Sequence, residues 1–187
     1  MVPDVVEELE VAADGATLDR GFLRLIINER DENALEQALI LKERHQGVVV
    51  AVAPEAPEVD DVLFTALARG ADRVIKITGV AEDTGASACA EVVSAALAAI
   101  PDLLPVDLIL TGCQAIDDLD GMVGPLVARR VGAPYVGIVT GLDVAAGAAR
   151  CSREYPGGVR GIFQVDLPVV VGIQGCEKPP RYVPIAK

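Results

Sequence analysis

VVVAVAPEAPEVDDVLFTALARGADRVIKI (48–77) reads as an apolar strand, a loop between Pro54 and Pro57, a helix over 58–69 stopped by Gly70, and a second strand over 73–77. A run such as VVVAVA, with no polar alternation, is the mark of a strand covered on both faces. The connection is short and helical, so the two strands are parallel and joined by a crossover. Upstream, Ala34, Leu35, Ala38, Leu39 and Leu41 predict an amphipathic helix from the N-cap candidate Asn28 to about Arg44, with Gly47 as its stop. Downstream, an Ala-rich helix over 86–100 ends at Pro101, DLILTG (107–112) is another buried strand, and 122–131 is a helix ended by Gly132. This alternation predicts a Rossmann-like α/β fold, an open and mainly parallel sheet with helices on both faces.

The flanks read differently. Residues 4–27 predict a short hairpin, VEELEV against FLRLII, around Asp14-Gly15. YVGIVTGLDV, RCSREYPGGVRGIFQV and LPVVVGIQG predict strands of period two, so the C-terminal part is expected to be extended or antiparallel. Residues 1–187 are read as one unit, an α/β core over 1–150 followed by C-terminal strands over 151–187.

Composition narrows the function. Hydrophobic residues make up 51% and aromatics 3%, with no tryptophan, so the core is aliphatic. Sixteen basic against 28 acidic residues leave a net charge of −12, which is no footprint for nucleic acid or anionic lipid. The apolar runs are too short to span a membrane, and MVPDVVEELE does not read as a signal peptide. Cys89, Cys113, Cys151 and Cys176 are widely spaced without a CxxC, as expected of reduced thiols in a cytoplasmic protein. The lone His45 falls at a helix C-terminus, where an imidazole serves the terminal carbonyls, and leaves no ready base for Ser–His or Cys–His catalysis.

In an open α/β sheet the ligand lies at the carboxyl ends of the strands. The segment after DLILTG, CQAIDDLDGMVGP (113–125), is the unusual one. Gly112 is expected to allow a sharp turn, Gly121 and Gly124 a close backbone approach, and Asp117, Asp118 and Asp120 to stand at the helix start. A helix N-terminus among small residues offers N–H groups to an anion, so a phosphate-bearing ligand fits; equally, the aspartates could do no more than charge-match the helix. Neither a Walker loop nor GxGxxG is present, and the acidic spacing matches no standard metal loop. No residue stands out as a catalytic acid, base or nucleophile.

INERDENALEQALILKE (27–43), TALARGADRVIKI (65–77), DLILTGCQAIDDLDGMVGP (107–125) and LPVVVGIQGCEKPPRY (167–182) together resemble the β subunit of electron transfer flavoproteins, including the nitrogen-fixation-linked β subunits. The resemblance implies an adenine nucleotide alpha-hydrolase-like fold and an electron carrier subunit, not an enzyme. It implies a heterodimer with an α subunit carrying FAD, passing electrons from dehydrogenases to a quinone oxidoreductase or another acceptor. It implies AMP in this subunit, or a second FAD in electron-bifurcating members. A stand-alone adenine-nucleotide-binding domain remains a further reading. The cofactor-binding positions carried over are Asn28, Glu29, Arg30, Asp31 and Pro54, and the run Gly112, Cys113, Gln114, Ala115, Ile116, Asp117, Asp118, Leu119, Asp120, Gly121, Met122 and Val123. A partner-docking loop is expected over Gln174 to Lys187, with Ile185 as the anchor candidate.

The chain also departs from the family pattern. Members commonly open with an apolar strand before Val-Pro-Asp and continue past Pro-Arg-Tyr into a basic arm; here those motifs fall at Val2–Asp4 and Pro180–Tyr182. Leu119, Met122 and Val123 replace polar residues, and Cys113 stands where a basic residue is frequent. Phosphate contacts are therefore expected to come mainly from the backbone, with Arg30 as a candidate compensating cation.

Overall fold

The computed structural model describes residues 1–6, 8–19, 21, 23–81 and 84–183. The alternation read from 48–131 is present. It runs β3 (Val50–Pro54), α2 (Val59–Arg69), β4 (Arg73–Ile77), α3 (Ala86–Ala99), β5 (Leu108–Gly112) and α4 (Val123–Val131). Before it come β1 (Val2–Pro3), β2 (Leu25–Ile26) and α1 (Glu29–His45). After it come β6 (Tyr135–Val139), β7 (Gly141–Ala145), β8 (Ala148–Tyr155), β9 (Val159–Asp166) and β10 (Val169–Ile173).

The parallel sheet is in two parts. β3 pairs with β4, and β10 lies between β5 and β6. Val169, Val171 and Ile173 pack with Ala34 and Leu41 of α1 and with Leu142 and Cys151 of the antiparallel strands. The second core joins Ala90 and Leu97 of α3 and Val127 of α4 to Val50 and Val52 of β3 and Ile109 of β5. One helical layer thus bridges both halves of the sheet. Every residue of β10 is buried, whereas β3 and β5, equally apolar, are half-exposed along their whole length. The reason is coverage: β10 has a strand on each side, while β3 and β5 each have one among the described residues.

Two expectations are corrected in detail. The C-terminal part is antiparallel only through β7–β8–β9; β6 and β10 join the parallel sheet. VVVGI, apolar at four of five positions, suits a central strand covered on both faces and not the period-two reading. The N-terminal hairpin is present but sparse. Asp14 accepts from the Ala16 and Thr17 amides, and a single bridge joins Val11 to Leu18. The other pairing, β1 with β2, lies far out on the two arms; Glu7 and Phe22 of the expected strands lie outside the described residues, and Glu8, Leu9 and Glu10 belong to no strand.

Two buried polar side chains on the apolar face of α1 fasten it to the rest. Gln37, 0% exposed, donates Nε2–H to the Leu142 carbonyl at 3.0 Å. Glu36 accepts from the Arg181 backbone N–H at 2.9 Å and from its guanidinium at 2.9–3.0 Å. This pair holds the segment after β10 against the helix. The anchor candidate Ile185 lies outside the described residues.

Candidate functional site at the carboxyl ends of the strands

The first turn of α1 and the end of β5 meet in a polar cluster. Asn28 occupies the N-cap position of α1 with extended backbone, but its side chain does not cap the helix. Its Nδ2 donates to Asp31 Oδ2 at 2.7 Å and to the Gln114 carbonyl at 2.9 Å. Asp31 Oδ1 accepts the Gly112 amide at 2.7 Å. Arg30 Nη1 donates to the Gln174 carbonyl at 2.8 Å, at the end of β10, and lies 3.4 Å from Glu29 Oε1. Asn28, Asp31, Gly112 and Gln114 are therefore brought together as expected, but their polar groups are engaged with one another.

This arrangement reassigns several residues. Gly112 is needed for close approach and not for a turn: a Cβ there would lie 2.9 Å from Arg30 Cβ, Asn28 Nδ2 and the Asp31 nitrogen. The first turn of α1 carries Glu29, Asp31 and Glu32, so its positive end is already matched by carboxylates. Pro54 closes β3, whose one neighbour among the described residues is β4; it pairs in register with Ile77 and makes no described hydrogen bond with the cluster.

Residues 113–122 form a compact loop. Ala115 and Asp118 exchange backbone hydrogen bonds at 3.2 Å, and the Gly121 amide donates to the Asp118 carbonyl at 3.2 Å. Gly121 is left-handed at φ 61, and a Cβ there would run into the Cys113 carbonyl. The close approach read from sequence is thus real at this glycine. The helix itself begins later than the aspartates. α4 starts at Val123 with Met122 at the N-cap, no side-chain cap and no acidic residue in its first turn, so Asp117, Asp118 and Asp120 neither cap it nor sit in it. Ile116, Leu119 and Met122 are exposed, Leu119 at 71%, giving the loop an apolar outer surface.

Cys113 is buried at the start of this loop. Burial pushes its thiol pKa up, against a smaller lowering by Arg30, so the thiol stays protonated and is a poor nucleophile. Among the described residues no group of three or more His, Cys, Asp or Glu side chains gathers as a metal site would require. A hollow of about 220 Å³ on the β7–β8–β9 sheet, lined by Asp143, Arg150, Ser152, Arg160 and Glu177 among others, shares no residue with the strand-end cluster.

Two features escaped the sequence reading. Thr111 Oγ1 is buried without a hydrogen-bond partner among the described residues, just below the first turn of α4. The ring of Tyr135 lies against Gly124 and Gly172. The only trace in the sequence is a tyrosine amid small residues, APYVG (133–137), which has no meaning until β6, β10 and α4 are packed.

An unsatisfied hydroxyl beside an uncapped, acid-free helix start is a fit for an anionic group. Comparison with known proteins agrees with such a fold. The family described as electron transfer flavoprotein domain matches residues 17–183. The electron transfer flavoprotein subunit beta of Syntrophomonas wolfei is 41% identical over 172 residues, 90% of this chain and 65% of that protein. The subunit of the same name from Clostridium acetobutylicum is 32% identical over 186 residues, 100% of this chain and 70% of that protein. The caffeyl-CoA reductase-Etf complex subunit CarD of Acetobacterium woodii is 32% identical over 189 residues, covering 98% and 69%. The chain therefore spans about two thirds of the length of these relatives. A match over most of its residues, with several relatives of the same name, places this chain in the electron transfer flavoprotein β-subunit family.

Proposed function

We propose that this chain is the β subunit of a heterodimeric electron transfer flavoprotein that binds AMP and supports electron transfer from dehydrogenases through FAD held mainly with the α subunit. Residues 1–187 act in this reading as one nucleotide-binding unit in the cytoplasm, with a quinone oxidoreductase or another protein as acceptor. The observation that carries the nucleotide part is the uncapped first turn of α4 beneath the Gly121 turn, with the orphan Thr111 hydroxyl beside it.

The chain's own residues bind and orient. The α4 amides of Val123 and Gly124, which have no intrahelical acceptor, would hold the phosphate. The Asn28–Asp31–Gly112 cluster holds β5 and its loop against α1 and acts by positioning. The exposed side chains of Ile116, Leu119 and Met122 supply apolar contact to the nucleoside or to the α subunit. The FAD supplies the one- and two-electron chemistry, and the protein's part is placement and exclusion of water.

A second reading has FAD in this subunit, as an electron-bifurcating β subunit would require. It is favoured by the likeness to the Acetobacterium woodii subunit and to the acryloyl-CoA reductase electron transfer subunit gamma of Anaerotignum propionicum, 32% identical over 186 residues. Denaturing the purified protein and identifying the released nucleotide by absorbance and mass separates the two. From the complex, AMP together with one FAD supports the first reading, a second FAD in place of AMP supports the second, and the α chain's single FAD with no AMP overturns both.

A further inference from the structure

Three glycines converge on one aromatic ring. A Cβ at Gly124 would lie 2.9 Å from Tyr135 Cε2, one at Gly137 would lie 2.9 Å from Cε1, and one at Gly172 would overlap the hydroxyl. These glycines belong to the first turn of α4, to β6 and to β10. The ring is thus seated between the helix start, the middle of β6 and the penultimate residue of β10, in space that missing side chains provide.

Its hydroxyl lies 3.2 Å from the Cβ position of Gly124, and Thr111 Oγ1 lies 2.8 Å from the same point. Two hydroxyls therefore converge on the first turn of α4. Burial pushes the Tyr135 pKa up, so the phenol keeps its proton at neutral pH and can donate. Thr111 Oγ1 is fully buried without a partner among the described residues, and a buried hydroxyl is rarely left so unless a ligand or water completes it. The helix start adds donors and no acceptor: Met122 does not cap it and the first turn holds no carboxylate. A set made of two hydroxyls and free amides suits an anion with several acceptor oxygens.

We propose that Thr111 and Tyr135 are side-chain donors to the phosphate at the first turn of α4, and so set the preference of the nucleotide site for a phosphorylated ligand over the bare nucleoside. This rests on the adenine-nucleotide reading above. It assigns a function to two residues that lie outside the loop and the α1 cluster, and it explains the three glycines as the housing of one phenol.

The test is binding of AMP and of adenosine to the full chain, and to its complex with the α subunit, in the wild type and in Tyr135→Phe, Thr111→Val and Thr111→Ser. Tyr135→Phe and Thr111→Val should each weaken AMP about tenfold, as expected for loss of a hydrogen bond to a charged group, and leave adenosine unchanged. Thr111→Ser should restore AMP binding. Equal weakening of both ligands would show a packing role and overturn the proposal, as would AMP affinity unchanged in both variants. Failure of the wild type to bind AMP at all overturns the nucleotide reading and the proposal with it, whereas wild-type AMP binding that the variants share overturns the proposal alone. Inorganic phosphate gives a second readout that needs no variant other than Tyr135→Phe. The chain has no tryptophan and three tyrosines, so phosphate should perturb the tyrosine absorption of the wild type and not of Tyr135→Phe; no perturbation in the wild type counts against the proposal.

Discussion

Asp31 Oδ1 accepts the backbone N–H of Gly112 at 2.7 Å, joining the first turn of α1 to the end of β5 across 81 positions of sequence. The other carboxylate oxygen accepts from Asn28, whose amide also reaches the Gln114 carbonyl. One side chain therefore satisfies a strand-end amide and orients the asparagine that holds the following loop. Asp31→Ala leaves both donors without that acceptor and should cost about 1–3 kcal/mol. Chemical denaturation checks this, and nucleotide affinity should fall in the same variant because the loop loses its tether.

Gly112 and Gly132 offer a contrast between crowding and backbone conformation. A Cβ at 112 would press on Arg30, Asn28 and Asp31, so Gly112→Ala should destabilise by about 1–3 kcal/mol and disturb the site. Gly132 ends α4 in the left-handed region at φ 74 with nothing within 4 Å of its Cβ position. Gly132→Ala should cost only about 1 kcal/mol and leave nucleotide binding intact. Thermal melts with paired binding titrations distinguish the two.

The Glu36–Arg181 pair makes the C-terminal segment acid-sensitive. Burial by itself would raise the Glu36 carboxyl, but hydrogen bonds from the Arg181 side chain and backbone outweigh it and hold the pKa below the ordinary value. A depressed carboxylate contributes stability that is fully present above its unfolded pKa and is lost as pH falls through the folded one. Docking of residues 177–183 on α1 should therefore be constant near neutral pH and weaken below about pH 4. Limited proteolysis across that range reads it. Arg181→Ala leaves Glu36 buried and unpaired and should cost about 3 kcal/mol at neutral pH, with Glu36→Gln milder.

The two-part sheet predicts an uneven pattern of amide exchange. β10 is buried at every residue and paired on both sides, so its amides should be the slowest to exchange. β3 and β5 are half-exposed and each paired on one side among the described residues. Their outward-facing amides should exchange faster than those of β10. Equal protection in hydrogen–deuterium exchange would mean that the free edges are covered in solution.

The local signals were strong where a single element explains them. Gly70 and Gly132 do end α2 and α4, and α1 does start after Asn28. Apolar runs produced strands, but β3 and β5, expected to be covered on both faces, are half-exposed while β10 is buried throughout; the Gly-containing segment after β5 did become a tight loop. The same signals misled where the partner was distant. The aspartates of 117–120 looked like helix-start residues, yet the chain closes a turn through Ala115 and Asp118 first and the helix begins at Val123. Asn28 looked like a cap, yet its side chain makes no capping hydrogen bond; its Nδ2 donates to the nearby Asp31 carboxylate and to the Gln114 carbonyl, the latter brought in by folding.

The sequence by itself determined the α/β class, the order of helices and strands, the segment that carries the candidate site and the family. All of these depend on periodicity, turn residues or motif blocks within a few tens of residues. Only the tertiary structure decided that β10 returns to the middle of the parallel sheet, that Glu36 is matched by Arg181, and that Tyr135 sits among three glycines from different elements. Strand order, ion pairing and ring packing depend on which distant surfaces meet, and hydropathy along the chain carries no record of that.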